Sequence, residues 1–248
     1  MSGLAGKNVV VIGGSSGVGR AIVETVAREG GHVLAVARQE EPLRRLVRDC
    51  PGVKTLSLDA TREDAPSKVF DALRPDILVI CGGAYPPTAP LHELSWSEFA
   101  INWESDVKIA FHFCKAALSL PLGSGASIVL VSSGAAIGGS PISGGYAGAK
   151  RTQMFMASYA QKESDRLGLG LRFVALAPRI MPDTALGKYA VAGYSRYLGI
   201  PAEDFIGSMG TPPSRADAAA AVIELAIQPD VARGKAFLLS GTGLEALP

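Results

Sequence analysis

The sequence predicts an α/β fold, a three-layer sandwich in which helices cover both faces of a mostly parallel, seven-stranded sheet. Three observations carry this prediction. Short apolar runs alternate with helical-looking segments along the chain, the order that a parallel sheet with crossover helices requires. Several runs are apolar on consecutive residues, such as VVVI at 9–12 and ILVI at 77–80, as strands covered on both faces tend to be. The 248 residues, 48% of them hydrophobic, suffice for one full core, so residues 1–248 are read as a single domain.

The first strand is read over 7–12, and the segment 19–30 beyond its glycines as an amphipathic helix. HVLAVA at 32–37 is the second strand, with a helix over 42–49 after it. TLSL at 55–58 and ILVIC at 77–81 follow as strands, with a helix at 65–73 between them and a long one at 96–118 beyond. IVLVS at 128–132, a helix at 146–167, LRFVA at 171–175, a helix at 216–226 and AFLL at 236–239 complete the series. No internal repeat or low-complexity linker divides the chain. One region resists this pattern: 178–213 is long for a loop and carries Tyr189, Tyr194, Tyr197, Phe205 and Met209. Such length suggests a substrate-binding lid; the alternative is a packed surface excursion with one or two short helices.

Composition excludes several partners. Lys plus Arg number 24 against 23 Asp plus Glu, a formal charge of +1, which gives no general reason to expect nucleic acid or an anionic membrane. No basic segment leads into an apolar run at the N-terminus, and no apolar run is long enough for a bilayer. A soluble, cytoplasmic protein is the expectation. Cys50, Cys81 and Cys114 are scattered, and His32, His92 and His112 form no ligand cluster, so no metal is expected.

Two stretches carry chemistry. In VVVIGGSSGVGR, Gly13, Gly17 and Gly19 follow a strand and open a helix, the Rossmann-like arrangement that lets a dinucleotide phosphate approach closely. Ser15 and Ser16 can donate hydrogen bonds to phosphates. The turn argues against a nucleotide-hydrolysing loop, because Arg20 and Ala21 stand where its Lys and hydroxyl would be. After the second strand no Asp or Glu is placed to hold a ribose diol, whereas Arg38 and Arg20 are available for a 2′-phosphate, which favours NADP(H) over NAD. Asp59 can accept from an adenine amino group or can form an Asx turn. In SGGYAGAK, Tyr146 and Lys150 fall one turn apart on a helix. Gly144, Gly145, Ala147, Gly148 and Ala149 clear the strip around them, which is read as room for cofactor and substrate.

Taken in order, Gly13, Gly17 and Gly19, the Asp59 stretch, Asn102 in FAINWESD, Ser133 in IVLVSS and Tyr146 with Lys150 resemble the short-chain dehydrogenase/reductase family. The likeness extends to the closing helix and strand. It implies that Tyr146 transfers the proton, Lys150 lowers its pKa and holds the nicotinamide ribose, Ser133 positions the substrate oxygen and Asn102 anchors a water. The implied cofactor contacts add Val18, Ala60, Gly82, Gly83, Pro178, Arg179 and Thr184. A free tyrosine titrates near ~10, and a neighbouring ammonium favours its phenolate.

Two departures stand out. Ile80, Cys81, Gly82 and Gly83 occupy the place where relatives read NNAG, so an Asn that supports the sheet is missing. Pro178-Arg179 replaces Pro-Gly, and Arg179 can face solvent, cofactor phosphates or an acidic substrate. The resemblance implies an NADP-dependent oxidoreductase interconverting a carbonyl and a secondary alcohol. The alternatives are an NADP-binding regulatory or scaffolding protein and an isomerase or dehydratase. The segment 134–144 and the lid, with Ile137, Ile142, Met181, Leu186, Tyr189 and Tyr194, suggest an apolar or aromatic substrate. Phe99, Ile101, Val107, Phe111 and Phe113 on one helix, with Phe155, Met156, Tyr159 and Leu167 on another, suggest a homodimer or homotetramer. The alternative is that these side chains all pack inward.

Overall fold

The computed structural model describes residues 3–120, 122–228 and 233–248. β1 (Asn8–Ile12) leads into α1 (Gly17–Arg28), β2 (His32–Ala37), α2 (Glu40–Asp49), β3 (Lys54–Ser57), α3 (Ala65–Ala72) and β4 (Ile77–Ile80). Next come α4 (Trp96–Asn102), a π-helical turn (Trp103–Val107), α5 (Lys108–Ser119), β5 (Ser127–Val131), α6 (Ala135–Gly138), α7 (Tyr146–Arg166) and β6 (Arg172–Pro178). The chain closes with α8 (Ala185–Leu198), α9 (Ala202–Ser208), α10 (Arg215–Ile227), β7 (Ala236–Ser240) and β8 (Gly243–Ala246).

The strands form one sheet in the order β3-β2-β1-β4-β5-β6-β7-β8, all parallel except β8. The expected seven strands are present; the eighth is a correction. Its residues GLEA lack a buried apolar run and pair with β7 through the backbone, so hydrophobic pattern does not reveal it. β6 also runs three residues beyond the expected end, to Pro178, because Ala175–Pro178 pairs with β7.

The consecutive apolar runs serve two cores. Val9, Val11, Val33, Ala35 and Val79 pack with α1, α2 and α10 on one face. Val10, Ile12, Leu34, Val36 and Leu78 alternate with them and pack with α3, α5 and α7 on the other. Chain order reverses where β1 pairs with both β2 and β4, and the carboxyl ends of β1 and β4 open a crevice there.

Two expected elements differ. The helix over 96–118 is interrupted by the π-helical turn, which apolar spacing does not report. Around that turn Asn102 and Asp106 point inward: Asn102 Nδ2 donates to Ala84 O (2.9 Å) and to Asp106 Oδ2 (3.1 Å). The irregular region 178–213 contains α8 and α9. Thr184 caps α8 by accepting from Gly187 N, and Gly199 ends it at φ 68°. The glycines within and around α8 weaken its helical signal in the sequence. Of the apolar residues assigned to an assembly face, Phe113 is fully buried and Met156 packs on the core, whereas Phe111, Phe155 and Tyr159 are exposed.

Candidate active site

The site begins where β1 ends. Gly13 has φ 85°, and a Cβ there would lie 2.7 Å from Gly82 N, so the turn after β1 and the segment after β4 touch backbone to backbone. A Cβ on Gly19 would overlap the Gly13 carbonyl. Gly19 therefore seats α1 against the turn and does not line the cleft. Ser16 stands at the α1 N-cap without a side-chain hydrogen bond to the helix, which leaves the amide end of α1 directed at the crevice.

A cleft of about 1110 Å³ runs across these carboxyl ends. Gly13, Ser15, Ser16, Gly17 and Val18 form its floor, with Gly82 and Gly83 beside them. Arg38, Asp59 and Ala60 line one part. Ser133, Tyr146, Lys150, Pro178, Arg179 and Thr184 line another.

The two arginines separate. Arg38 lines the cleft and has no ion-pair partner among the described residues. Arg20 instead pairs with Asp49 (2.6 Å) and Glu24 (2.7 Å), hydrogen bonds that raise its pKa. It is tied to α1 and α2, which corrects the expectation that it shares a phosphate site with Arg38. Asp59 Oδ1 accepts from Thr61 N (3.0 Å) and Thr61 Oγ1 (2.8 Å); these bonds lower its pKa. The Asx turn is thus formed, on a residue that also borders the cleft.

Tyr146 opens α7, and the small residues before it have a different purpose from the one expected. A Cβ on Gly145 would overlap Phe99 O and crowd Trp103, and one on Gly144 would lie 2.9 Å from Pro87 Cγ. They let α7 pack against α4 and the segment after β4. Ser132 Oγ donates to Lys150 O (2.7 Å), fastening α7 to the end of β5.

Lys150 is buried. Its Nζ donates to Asp106 Oδ1 (3.1 Å), Val131 O (3.2 Å) and Gln153 Oε1 (3.2 Å), and it lies 5.6 Å from the Tyr146 ring centroid. Burial opposes its charge, but Asp106 and Tyr146 outweigh burial and raise its pKa. For Tyr146 burial is the largest influence and raises the phenol above its ordinary value; Lys150 and a hydrogen bond with Ser133 pull it down, and Asp106 pushes it up. The expected pull of Lys150 exists, but burial outweighs it. Burial also pushes the nearby Cys81 thiol up to about 11.

Asn102 sits behind the cleft, fully buried, and its Oδ1 has no hydrogen-bond partner among the described residues. Asp106 and Gln153 are the site residues that sequence reasoning missed. Their signals were an acid four residues after Asn102 and an amide three residues after Lys150.

Above the Tyr146 end, the cleft wall is aromatic. Tyr85 and Tyr189 meet edge to face at 5.3 Å between centroids, and Tyr194 stacks on Phe205 at 4.9 Å. Tyr194 donates its hydroxyl to Ser140 Oγ (2.6 Å). Arg196 Nη2 donates to Thr88 Oγ1 (3.0 Å), joining α8 to the segment after β4.

Comparison with known proteins places this arrangement. The chain is 30% identical to L-xylulose reductase of Mesocricetus auratus over 106 residues, 43% of each chain. The match thus spans less than half the length of that relative. It is 31% identical to 2,5-dichloro-2,5-cyclohexadiene-1,4-diol dehydrogenase of Sphingobium indicum, over 72% of this chain and 74% of that one. The crystal structure of L-sorbose reductase from Gluconobacter frateurii, complexed with NADPH and L-sorbose, superposes with a TM-score of 0.77 at 23% identity, covering 96% of each chain. The model of the short chain dehydrogenase family matches residues 7–194. That stretch runs from β1 into α8 and includes the glycine turn, Ser133 and the Tyr146–Lys150 step; the chain belongs to the short chain dehydrogenase family.

Proposed function

We propose that this protein is an NADP-dependent ketoreductase that interconverts a carbonyl and a secondary alcohol on an apolar or aromatic small molecule. The observation that carries the reading is the meeting of Ser133, Tyr146 and Lys150 in the same cleft as Arg38 and the amide end of α1. The residues fit a dinucleotide: Gly17, at φ 53° with nothing described within 4 Å of where a Cβ would sit, leaves backbone open to a phosphate, and Arg38 offers a guanidinium with no ion-pair partner among the described residues for a 2′-phosphate. The cleft, at about 1110 Å³, exceeds the roughly 300–1,000 Å³ of a single drug-sized site and so has room for substrate beside cofactor.

NADPH, when bound, supplies the hydride that forms the new C–H bond at the carbonyl carbon. Ser133 and Tyr146 hold the carbonyl oxygen between their hydroxyls, and Tyr146 gives that oxygen its proton. Lys150 orders the ribose and steadies the charge left on Tyr146. Asn102 is placed behind this group to hold a water through its Oδ1.

The substrate class rests on Met181, Leu186, Tyr189 and Tyr194 along the cleft wall. Residues 178–213, with α8 and α9, are the lid in this reading. The exposed rings of Phe111, Phe155 and Tyr159 support a homodimer or homotetramer. A cytoplasmic location accords with the free thiols Cys50, Cys81 and Cys114.

Hydride transfer from 4-deuterated NADPH tests the assignment across aldehydes, cyclic ketones, 3-oxoacyl thioesters and the ketoses L-xylulose and L-sorbose. Deuterium appearing at the new carbinol carbon supports it. Nucleotide binding without transfer to any of them supports a regulatory role, and a substrate changed without net oxidation of NADPH supports an isomerase or dehydratase.

A further inference from the structure

The ammonium of Lys150 has three protons to donate, and three protein acceptors lie within reach of it: Asp106 Oδ1, Val131 O and Gln153 Oε1. One of these is a carboxylate with 1% exposure. The other oxygen of Asp106 is also occupied, accepting from Ser105 Oγ (2.7 Å), Ala84 N (3.0 Å) and Asn102 Nδ2 (3.1 Å). Gln153 closes the arrangement, its Nε2 donating to Asp106 O (3.0 Å). Gly83 makes room for the acid, since a Cβ there would lie 2.5 Å from Asp106 Oδ1.

This is a built ion pair. A buried carboxylate with every contact satisfied is held in one place, and so is the lysine it faces. The groups around the Tyr146 phenol are Lys150 on its own helix, Asp106 on the π-helical turn, the Cys81 thiol beyond β4 and the Ser133 hydroxyl beyond β5. Arg179 borders the same cleft from the end of β6. Tyr146 therefore faces a cation whose charge is matched immediately behind it.

We propose that Asp106 is a positioning residue that locks the Lys150 ammonium and offsets its charge at Tyr146, so that Tyr146 stands as the phenol, the proton-donor form, throughout neutral pH. The consequence for catalysis rests on the carbonyl-reduction reading. In that direction the Tyr146 O–H bond breaks, its proton forms the alcohol O–H as hydride from NADPH forms the C–H bond, and solvent returns a proton to the phenolate. The reverse reaction needs the phenolate first, so alcohol oxidation reaches its plateau only in alkali. Burial of the phenol acts in the same direction as Asp106.

Ultraviolet titration of tyrosinate tests the offset directly. The protein has six tyrosines, so Tyr146 is isolated by subtracting the matching Tyr146→Phe protein at each pH. In Asp106→Asn the Tyr146 ionisation is expected to move down by roughly one pH unit or more, the size of a neighbouring-charge effect. An unchanged or raised midpoint in a folded Asp106→Asn protein overturns the proposal, because loss of a merely structural contact would lower the melting temperature without that shift. If Asp106→Asn does not fold, Asp106→Asn/Lys150→Met removes both charges together and is compared with Lys150→Met. Tyr146 should then titrate lower in the double variant, and equal midpoints overturn the proposal. The titration needs no turnover, so failure of the reductase assignment and failure of the offset are separate results.

Discussion

Lys150 Nζ lies 3.1 Å from Asp106 Oδ1, and both side chains are buried. The pair joins α7 to the π-helical turn across the base of the candidate site. Its removal therefore has two separable effects, on the fold and on the cleft.

Lys150→Met leaves the Asp106 carboxylate buried without its cation, and breaking a buried pair in this way costs about 3–5 kcal/mol. Chemical denaturation of the two proteins at neutral pH measures this loss, and NADPH affinity should fall with it. A variant as stable as the parent, with NADPH binding intact, contradicts both roles of Lys150.

Alkali should weaken the fold through the same groups. The folded pKa values of Lys150 and Tyr146 are both raised, so their contribution is fully present below the unfolded values near ~10. It is lost as pH rises through the higher folded values. The melting temperature should therefore fall above about pH 10, less steeply in Tyr146→Phe. A parent and variant that fall together would show that Tyr146 does not contribute.

Arg38 should select the cofactor. Arg38→Ala should weaken NADPH far more than NADH, because only NADPH has the 2′-phosphate that a guanidinium can clamp. Equal losses in the two dissociation constants would remove Arg38 from the phosphate site.

Much of this was legible in the sequence because it depends on local pattern. The seven parallel strands show in runs such as VVVI and ILVI, where both faces are covered and successive side chains enter opposite cores. Tyr146 and Lys150 show because one helical turn fixes their relation. Asp106 was hidden because its meaning lies in Lys150 and Ala84, contacts distant in the chain. Gly144 and Gly145 were assigned to the cleft because sequence shows small size but not which neighbour demands it; Pro87, Phe99 and Trp103 do. Arg20 looked equivalent to Arg38 until Asp49, 29 residues away, claimed it.

The exposed rings of Phe111, Phe155 and Tyr159 should be covered by a second copy. Light scattering at micromolar concentration should give a dimer or tetramer, and Phe155→Asp/Tyr159→Asp should give a folded monomer, since neither ring is in the core. A monomeric parent with full activity would leave these rings as ordinary surface.

The lid should close over ligand. α8 is held to the segment after β4 by Arg196 on Thr88 and by Tyr189 on Tyr85, contacts that border the cleft and that a substrate would meet. Limited proteolysis within 178–213 should slow with NADPH plus substrate more than with NADPH alone. Equal cutting in both conditions would make α8 and α9 a fixed wall.

The most direct measurement is single-turnover carbonyl reduction by Tyr146→Phe, on whichever carbonyl compound accepts deuterium from labelled NADPH. This variant keeps the ring against Lys150 and removes the proton that the account assigns to the substrate oxygen. The rate should fall by at least roughly 10²-fold while the NADPH dissociation constant stays within a few-fold of the parent. A variant that binds NADPH and reduces the same compound at the parental rate would contradict the account.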